Sequence, residues 1–292
     1  MLYRDFATQE ELDAQYDLST IFPDAASWYE GFCERESERA REDLDHRLDV
    51  PFGPTRAEHS DVYPAAGAAR GAPVLIYVHG GFWVLRTSKE FGFVARGPVS
   101  KGVATVVTNY ALCPYVTIDE IVRQTRAVVA WAYRNAESFG GDPENIHVAG
   151  HSAGGHLVAM LQTTDWRGDY GLPADVIKSA TAISGLFDLA PFPYTFLQPK
   201  VQLTWDQVRR NSPILHLPDP QSGAPPLLVA YGEDETDEFK RQSEEFFAAW
   251  RAKGLDGELL VLSSKNHYDV IDGFLDAKSP LCSAILGRVG LE

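Results

Sequence analysis

The chain has few cysteines, no long apolar run and no surplus of positive charge, and each shortage excludes a class of protein. Its three cysteines, Cys33, Cys113 and Cys282, stand far apart among 292 residues. Their odd number and wide spacing match neither a disulfide framework nor a paired metal-ligand motif, so we expect reduced thiols and a cytoplasmic location. The longest apolar runs, 73–78 and 103–107, are far shorter than the roughly 20 residues of a membrane-spanning helix.

The acidic balance argues against nucleic acid as a partner. Lys and Arg number 26 against 41 Asp and Glu, which gives a net charge of −15, whereas phosphate binding needs a basic surface. The N-terminal residues lack a basic start followed by an apolar core, so we expect no secretory signal. A small-molecule substrate is the expected partner, without a membrane or nucleic acid, and a homodimer stays open.

Apolar and helical patterns alternate along most of the chain. The predicted strands are 47–50, 58–63, 74–79, 103–109, 145–150, 179–184, 227–231 and 258–262. The predicted helices are 10–16, 24–41, 88–100, 118–138, 153–163, 237–253 and 270–286. Continuous Val, Ile and Leu runs indicate strands buried on both faces, which predicts a mostly parallel, doubly wound α/β sheet with helices on both sides. We expect a single domain over residues 1–292.

Two segments depart from this alternation. Residues 1–45 carry helical patterns without an obvious strand, and residues 64–73, rich in Ala and Gly, predict a loop. Residues 186–212 form an aromatic-rich insertion between two predicted strands. Insertions at this place commonly cover a site at the carboxyl ends of the strands, so we expect a small lid.

Ser152 lies between a strand pattern and a helix pattern, within the sequence Gly-His-Ser-Ala-Gly. A serine on such a tight strand-to-helix turn is held out from the sheet edge, and small neighbours let the backbone reverse. The free N–H groups of the following helix point to the place where an oxyanion would form. Ser152 is therefore the candidate nucleophile.

A serine nucleophile needs a base and a group that orients the base. His267 follows the last predicted strand, where the base of a nucleophile-elbow hydrolase is expected. The acid is ambiguous, because Gly232 is followed by a run of four carboxylates within five residues. Spacing alone leaves Asp234 and Glu235 equally eligible, with Asp237 better suited to capping the next helix.

The third element is His79-Gly80-Gly81-Phe82-Trp83, directly after the strand at 74–78. Its glycines let backbone N–H groups approach a developing oxyanion closely. In hydrolases of this kind such a loop acts together with the N–H of the residue after the nucleophile. The predicted oxyanion hole is therefore Gly81, Phe82 and Ala153.

With these motifs the chain resembles the α/β-hydrolases of the esterase and lipase type that carry His-Gly-Gly-x-Trp. Within that group it resembles the kynurenine formamidases (arylformamidases) and their bacterial relatives, through residues 79–83, 150–157 and 235–243 and the N-terminal residues 12–16 and 23–24. The resemblance covers nearly the whole chain. It implies that the acid lies three residues after the glycine ending its strand, which favours Glu235 over Asp234.

The resulting expectation is a serine hydrolase without cofactor or metal, acting on a small aryl-linked acyl compound. The resemblance implies N-formylkynurenine, with a broad carboxylesterase or arylesterase as the alternative and a catalytically silent binding protein as the alternative of another class. Trp83 and His156 are the predicted substrate-binding residues, whereas core packing is the better interpretation of Tyr110. The spacing of His147, His151 and His156 is typical of no metal site.

Overall fold

The computed structural model describes residues 1–67 and 71–291, in which one eight-stranded sheet carries helices on both faces. The strands are β1 (Arg47–Pro51), β2 (His59–Tyr63), β3 (Ala72–Val78), β4 (Ala104–Thr108), β5 (Gly141–His151), β6 (Ile177–Ile183), β7 (Leu227–Gly232) and β8 (Gly257–Leu262). The α-helices are α1 (Gln9–Tyr16), α2 (Leu18–Ile21), α3 (Pro23–Asp43), α4 (Arg96–Ser100), α5 (Ile118–Asn135), α6 (Ala153–Gln162), α7 (Trp166–Tyr170), α8 (Gln198–Val201), α9 (Trp205–Arg210), α10 (Asp237–Ala252) and α11 (Pro280–Val289). Short 3-10 helices span Ser88–Ala95, Ala136–Phe139, Phe192–Tyr194, Pro213–Leu215 and Asp269–Leu275. None of these helices is both long enough and apolar enough to cross a membrane.

The strand order is β1-β2-β4-β3-β5-β6-β7-β8. All pairs from β4 through β8 are parallel, whereas β2 runs antiparallel to both of its neighbours. The predicted mostly parallel α/β-hydrolase sheet is therefore confirmed. Because parallel strands end at one edge, the loops after β3, β5, β7 and β8 meet there, which brings distant sequence motifs together.

The alternation of side chains along β3 divides the core into two layers. Val74, Ile76 and Val78 pack with residues of α5, α6 and α10 in one layer. Leu75 and Tyr77 point to the other side and pack with residues of α3 and α11. Both faces of the inner strands β3, β4, β6 and β7 are buried, which explains why these strands are continuous apolar runs rather than alternating ones.

Some predicted helices differ from the observed ones. The helix predicted at 270–286 is two elements, because Pro280 has no N–H to continue a helix and Ser279 caps a new one by accepting from the Cys282 N–H at 3.0 Å. The helix predicted at 88–100 begins as a 3-10 helix and becomes α4 only at Arg96. Within the loop predicted at 64–73, residues 68–70 lie outside the described residues, and Ala72 already begins β3.

A buried polar network ties the N-terminal helices to the rest of the fold. The Tyr16 hydroxyl donates to Glu238 at 2.8 Å and accepts from the Gln242 amide at 3.0 Å. The Gln242 carbonyl in turn accepts from the backbone N–H groups of Phe187 and Asp188, at 2.6 and 2.8 Å. Because the network joins α1, α10 and the start of the insertion, it fixes the N-terminal segment beside the sheet edge that carries the site.

Candidate functional site

Ser152 occupies the sharp turn between β5 and α6. Its backbone has φ +57° and ψ −120°, a conformation that side-chain-bearing residues rarely adopt. The turn closes only because its neighbours are small: a Cβ at Gly150 would lie 2.4 Å from the Gly154 carbonyl oxygen, and one at Gly154 only 2.0 Å from that of Val78. The strained turn and its glycines match a nucleophile elbow.

His267 and Glu235 come together from the loops after β8 and β7. The Nδ1 of His267 donates to a carboxylate oxygen of Glu235 at 2.8 Å, and both side chains are buried. A proton on Nδ1 leaves Nε2 as the acceptor, which is the tautomer a serine base needs. His267 and Ser152 line the same pocket, of about 100 Å³.

The second carboxylate oxygen of Glu235 is held from two directions. It accepts from the Gly232 N–H at 2.7 Å and from the hydroxyl of Ser184 at the end of β6. The neighbouring Asp234 side chain is exposed to solvent instead. Of the two carboxylates that spacing left open, Glu235 is therefore the one that contacts the imidazole. Asp237 is not the helix cap, because Thr236 holds that position and Asp237 begins α10.

The loop after β3 has three successive residues with positive φ: Gly81 at +111°, Phe82 at +50° and Trp83 at +61°. A Cβ at Gly81 would lie 2.3 Å from the Leu85 carbonyl oxygen, so glycine is required there. Within the described residues, no backbone acceptor takes the N–H of Gly81, Phe82 or Ala153. Gly81 and Phe82 line the pocket with Ser152, and Ala153 begins α6. Backbone N–H groups without an internal acceptor beside the serine are one requirement of an oxyanion hole.

His79 supports this loop from below. Its Nδ1 lies 2.7 Å from the Gly80 carbonyl oxygen, and its ring stacks on Tyr110 with centroids 4.1 Å apart. Burial lowers the pKa of His79 to about 4, so the ring stays neutral near pH 7. Tyr110 is itself buried and donates to the His79 carbonyl oxygen at 2.9 Å, which gives it the packing role that the sequence favoured.

Trp83 and His156 do not reach the pocket, contrary to the prediction that they bind substrate. Both side chains are fully buried. The Trp83 Nε1 donates to His156 Nδ1 at 3.1 Å, and His156 Nε2 bonds the Asn211 carbonyl oxygen at 2.8 Å. Phe192 packs against the indole edge to face, with a ring-centroid distance of 5.5 Å. The two residues join the oxyanion loop, α6 and the insertion, so the structure gives them a packing role.

The pocket wall contains residues to which the sequence analysis gave no role in the site. They are Leu18, Tyr29, Leu85, Arg86, His151 and Tyr268. Leu18 and Tyr29 come from the N-terminal helices, which the sequence marked as helical without a role. Tyr29 lies 5.1 Å from Tyr268, measured between ring centroids. His151 had a local signal, since it precedes Ser152 within the serine motif. Leu85 and Arg86 follow the predicted oxyanion loop closely, and Tyr268 follows the predicted base.

His151 lies directly beside His267. The two rings are 4.6 Å apart between centroids, and neither nitrogen of His151 has a hydrogen-bond partner among the described residues. Burial and the adjacent His267 ring lower the pKa of His151 well below its usual value. The pocket therefore contains a neutral second imidazole.

The insertion at 186–212 borders a second compartment that adjoins the first. This compartment, of about 170 Å³, shares Leu18, Phe82, Leu85 and Tyr268 with the pocket that contains Ser152. Its outer wall includes Phe196, Leu197 and Lys200 from the insertion. The insertion thus flanks the site jointly with the N-terminal helices, rather than covering it alone.

The histidines considered as metal ligands lie in separate surroundings. His147 contacts the Ser179 hydroxyl at 2.7 Å and the Asn145 carbonyl at 2.8 Å, in the middle of the sheet. His151 faces the pocket, and His156 faces Trp83. Within residues 1–67 and 71–291, no group of three His, Cys, Asp or Glu side chains is placed to hold a metal ion.

Comparison with known proteins agrees with this geometry. The model of the BD-FAE family matches residues 60–249, well over half of the chain. The chain belongs to the BD-FAE family of α/β-hydrolases. A kynurenine formamidase from Danio rerio is 31% identical to this BD-FAE member over 290 residues, which are 97% of each chain. The esterase LipQ from Mycobacterium tuberculosis is 29% identical over 225 residues, covering 70% of this chain and 53% of LipQ.

A solved structure shares the same architecture. It belongs to a candidate thioesterase from Silicibacter sp. TM1040, which is 28% identical and superposes with a TM-score of 0.82. The match covers 94% of this chain and 98% of the other. Together with its sequence relatives, this makes the BD-FAE member a hydrolase of the esterase and formamidase type.

Proposed function

We propose that this protein is a serine hydrolase that cleaves N-formyl arylamides, N-formylkynurenine in particular, through an acyl-enzyme. The observation that carries the proposal is the hydrogen bond from His267 to Glu235, with His267 in the same pocket as Ser152. An imidazole held in this tautomer accepts the serine proton. A catalytically silent binding protein would not need such an orienting hydrogen bond. The full-length similarity to a kynurenine formamidase supports the choice of substrate.

The proposed reaction has two halves. Ser152 Oγ attacks the formyl carbon while His267 takes its proton, and the N–H groups of Gly81, Phe82 and Ala153 hold the oxyanion. His267 then protonates the leaving arylamine as the carbon–nitrogen bond breaks, which leaves a formyl ester on Ser152. Water attacks that ester with His267 as base, formate leaves, and the proton returns to Ser152 Oγ.

The pocket suits a flat leaving group. Tyr29, Tyr268 and Phe82 bring aromatic rings to its wall, and Leu18 and Leu85 complete the apolar surface. Planar apolar walls favour an aryl group over a flexible chain. The formyl group is the smallest acyl group, which suits a pocket of about 100 Å³.

The second candidate is a broad carboxylesterase that acts on short acyl esters. The esterase relatives favour it, and an aryl ester would meet the same residues with an oxygen leaving group. Esters are intrinsically easier to cleave than formamides, so activity on esters alone does not separate the two candidates.

The deciding experiment compares kcat/KM for N-formylkynurenine with kcat/KM for phenyl acetate, following kynurenine and phenol release. We expect the formamide to be the better substrate, and Ser152→Ala to abolish release of both products. Hydrolysis of phenyl acetate with no detectable kynurenine would replace the formamidase proposal with the carboxylesterase one. Full turnover of both substrates by Ser152→Ala would refute the nucleophile.

A further inference from the structure

The pocket that contains Ser152 is lined by a positively charged side chain, although the protein as a whole is strongly acidic. The chain has a net charge of −15, yet within its described part no aspartate or glutamate lines this pocket. The charged side chain at its wall is the guanidinium of Arg86. A fixed cation in an apolar cleft attracts anions more strongly than the same cation on an open surface.

Arg86 is held in place by its backbone and by its neighbours. Its φ of +77° lies in the left-handed region, which fixes the direction in which the side chain leaves the oxyanion loop. The stem passes over Gly81, where an added Cβ would lie 3.1 Å from the Arg86 Cγ. The guanidinium lies over the Tyr29 ring, 5.4 Å from its centroid. This stacking keeps the cation at the wall of the pocket.

The internal partners of Arg86 leave part of its hydrogen-bonding capacity free. One terminal nitrogen donates to Glu90 at 3.2 Å. The other lies 3.6 Å from Glu30, beyond hydrogen-bond range, and the Glu30 side chain is 73% exposed. An arginine offers five N–H donors in a planar fork that suits a carboxylate. The contact with Glu30 is loose enough for a substrate anion to replace it.

We infer that Arg86 binds a carboxylate carried by the leaving group of the substrate. The inference rests on the hydrolase function proposed above, since it takes Ser152 as the attacking residue. The aryl group lies against Tyr29 and Tyr268, and its anionic substituent pairs with Arg86. The substrate class is therefore aryl formamides and aryl esters that carry a carboxylate on the aryl side.

The second compartment contains a competing cation. Lys200 is exposed and lies at the wall formed by the insertion, beyond Phe82 and Leu85. Arg86 is favoured because it lines the pocket of Ser152 itself and is only 22% exposed in its side chain. A partly buried guanidinium on a stacking partner loses less freedom on binding than an exposed lysine does.

The test uses matched pairs of substrates. The 2-, 3- and 4-acetoxybenzoates each carry a carboxylate, and the corresponding acetoxybenzamides have the same shape without the charge. For each isomer the ratio of kcat/KM, acid over amide, measures carboxylate recognition. A variant with less folded enzyme lowers both values equally, so the ratio is unaffected by a folding defect.

Arg86→Gln is expected to lower this ratio about tenfold for the best isomer, mainly through KM, which is the effect of losing one charge-assisted hydrogen bond. Arg86→Lys should retain part of the preference, because the charge stays but the planar fork is lost. Arg39→Gln is the matched control, since it removes the same charge from a surface pair with Glu36. Its ratio should equal that of the wild type.

Three outcomes overturn the inference. One is an unchanged ratio in Arg86→Gln for all three isomers. Another is an equal fall in Arg39→Gln, which would indicate a general charge effect. The third is a fall in Lys200→Gln in place of Arg86→Gln. If Ser152→Ala still abolishes phenyl acetate hydrolysis, these outcomes leave the proposed function standing, whereas turnover by Ser152→Ala would remove both.

Discussion

The imidazole of His267 donates to Glu235 at 2.8 Å, while the adjacent Asp234 carboxylate points into solvent. Two neighbouring acids of similar chemistry thus differ in burial and in partners. Glu235 also accepts from Gly232 and Ser184, so three donors fix its orientation before a substrate arrives. Such preorganisation separates an orienting acid from a solvated one.

The first prediction concerns this pair. Glu235→Gln should lower kcat by about 10²- to 10⁴-fold, because a neutral amide neither fixes the tautomer of His267 nor stabilises its charged form. Asp234→Asn is the matched control and should change kcat less than threefold, the scale of an exposed charge removed near a site. Both values come from steady-state kinetics with phenyl acetate. A larger loss of kcat in Asp234→Asn than in Glu235→Gln would identify Asp234 as the orienting acid instead.

The second prediction concerns stability at low pH. Burial lowers the pKa of His79, His147 and His156 to about 4, below the usual 6.5. Between these values the unfolded chain binds protons that the folded protein does not, so the free energy of unfolding falls as the pH falls. Each histidine contributes up to about 1.4 kcal/mol per pH unit in this range.

Urea unfolding at pH 7, 6 and 5 measures this slope. His147→Gln removes one buried imidazole far from the pocket and should give a shallower loss of stability than the wild type. His46→Asn, at an exposed position, should follow the wild-type slope. Identical slopes for His147→Gln and the wild type would contradict the prediction.

The third prediction concerns Trp83, which the sequence placed against the substrate and the structure places in the core. Trp83→Phe removes the donor to His156 Nδ1 and should cost about 1–3 kcal/mol of unfolding free energy, the penalty of an unsatisfied buried acceptor. KM for phenyl acetate should change little. A raised KM with an unaltered free energy of unfolding would instead indicate that Trp83 contacts the substrate.

The parts of the site that could be predicted have local signals. Ser152 follows a strand and precedes a helix, so its turn is visible in the sequence, and the two glycines after His79 mark a backbone approach. Spacing alone gave no such signal for the choice between Asp234 and Glu235, and only the family resemblance favoured Glu235. The physical difference involves Ser184, which lies about fifty positions away in sequence and meets Glu235 only in the folded chain.

Most of the pocket wall could not be predicted either, because its residues are distant in sequence and meet only in the folded chain. Tyr29 belongs to a helix whose sequence shows only an amphipathic pattern, and its contact with Tyr268 joins the two ends of the chain. The prediction for Trp83 was wrong because an aromatic side chain beside a predicted oxyanion loop can pack either in the pocket or in the core. The hydrogen bond from Trp83 Nε1 to the buried His156 Nδ1 holds the indole in the core. Pro280 was a signal that the helix predicted at 270–286 would be interrupted, but the prediction followed the apolar pattern of that segment instead.

The most direct measurement is the site of covalent labelling by a fluorophosphonate, which reacts with a serine only when a neighbouring base activates it. Peptide mapping by mass spectrometry after labelling should find the adduct on Ser152, at one equivalent per chain, and no adduct in Ser152→Ala or His267→Ala. An adduct on a different serine, or undiminished labelling in Ser152→Ala, would contradict the assignment of Ser152 as the nucleophile.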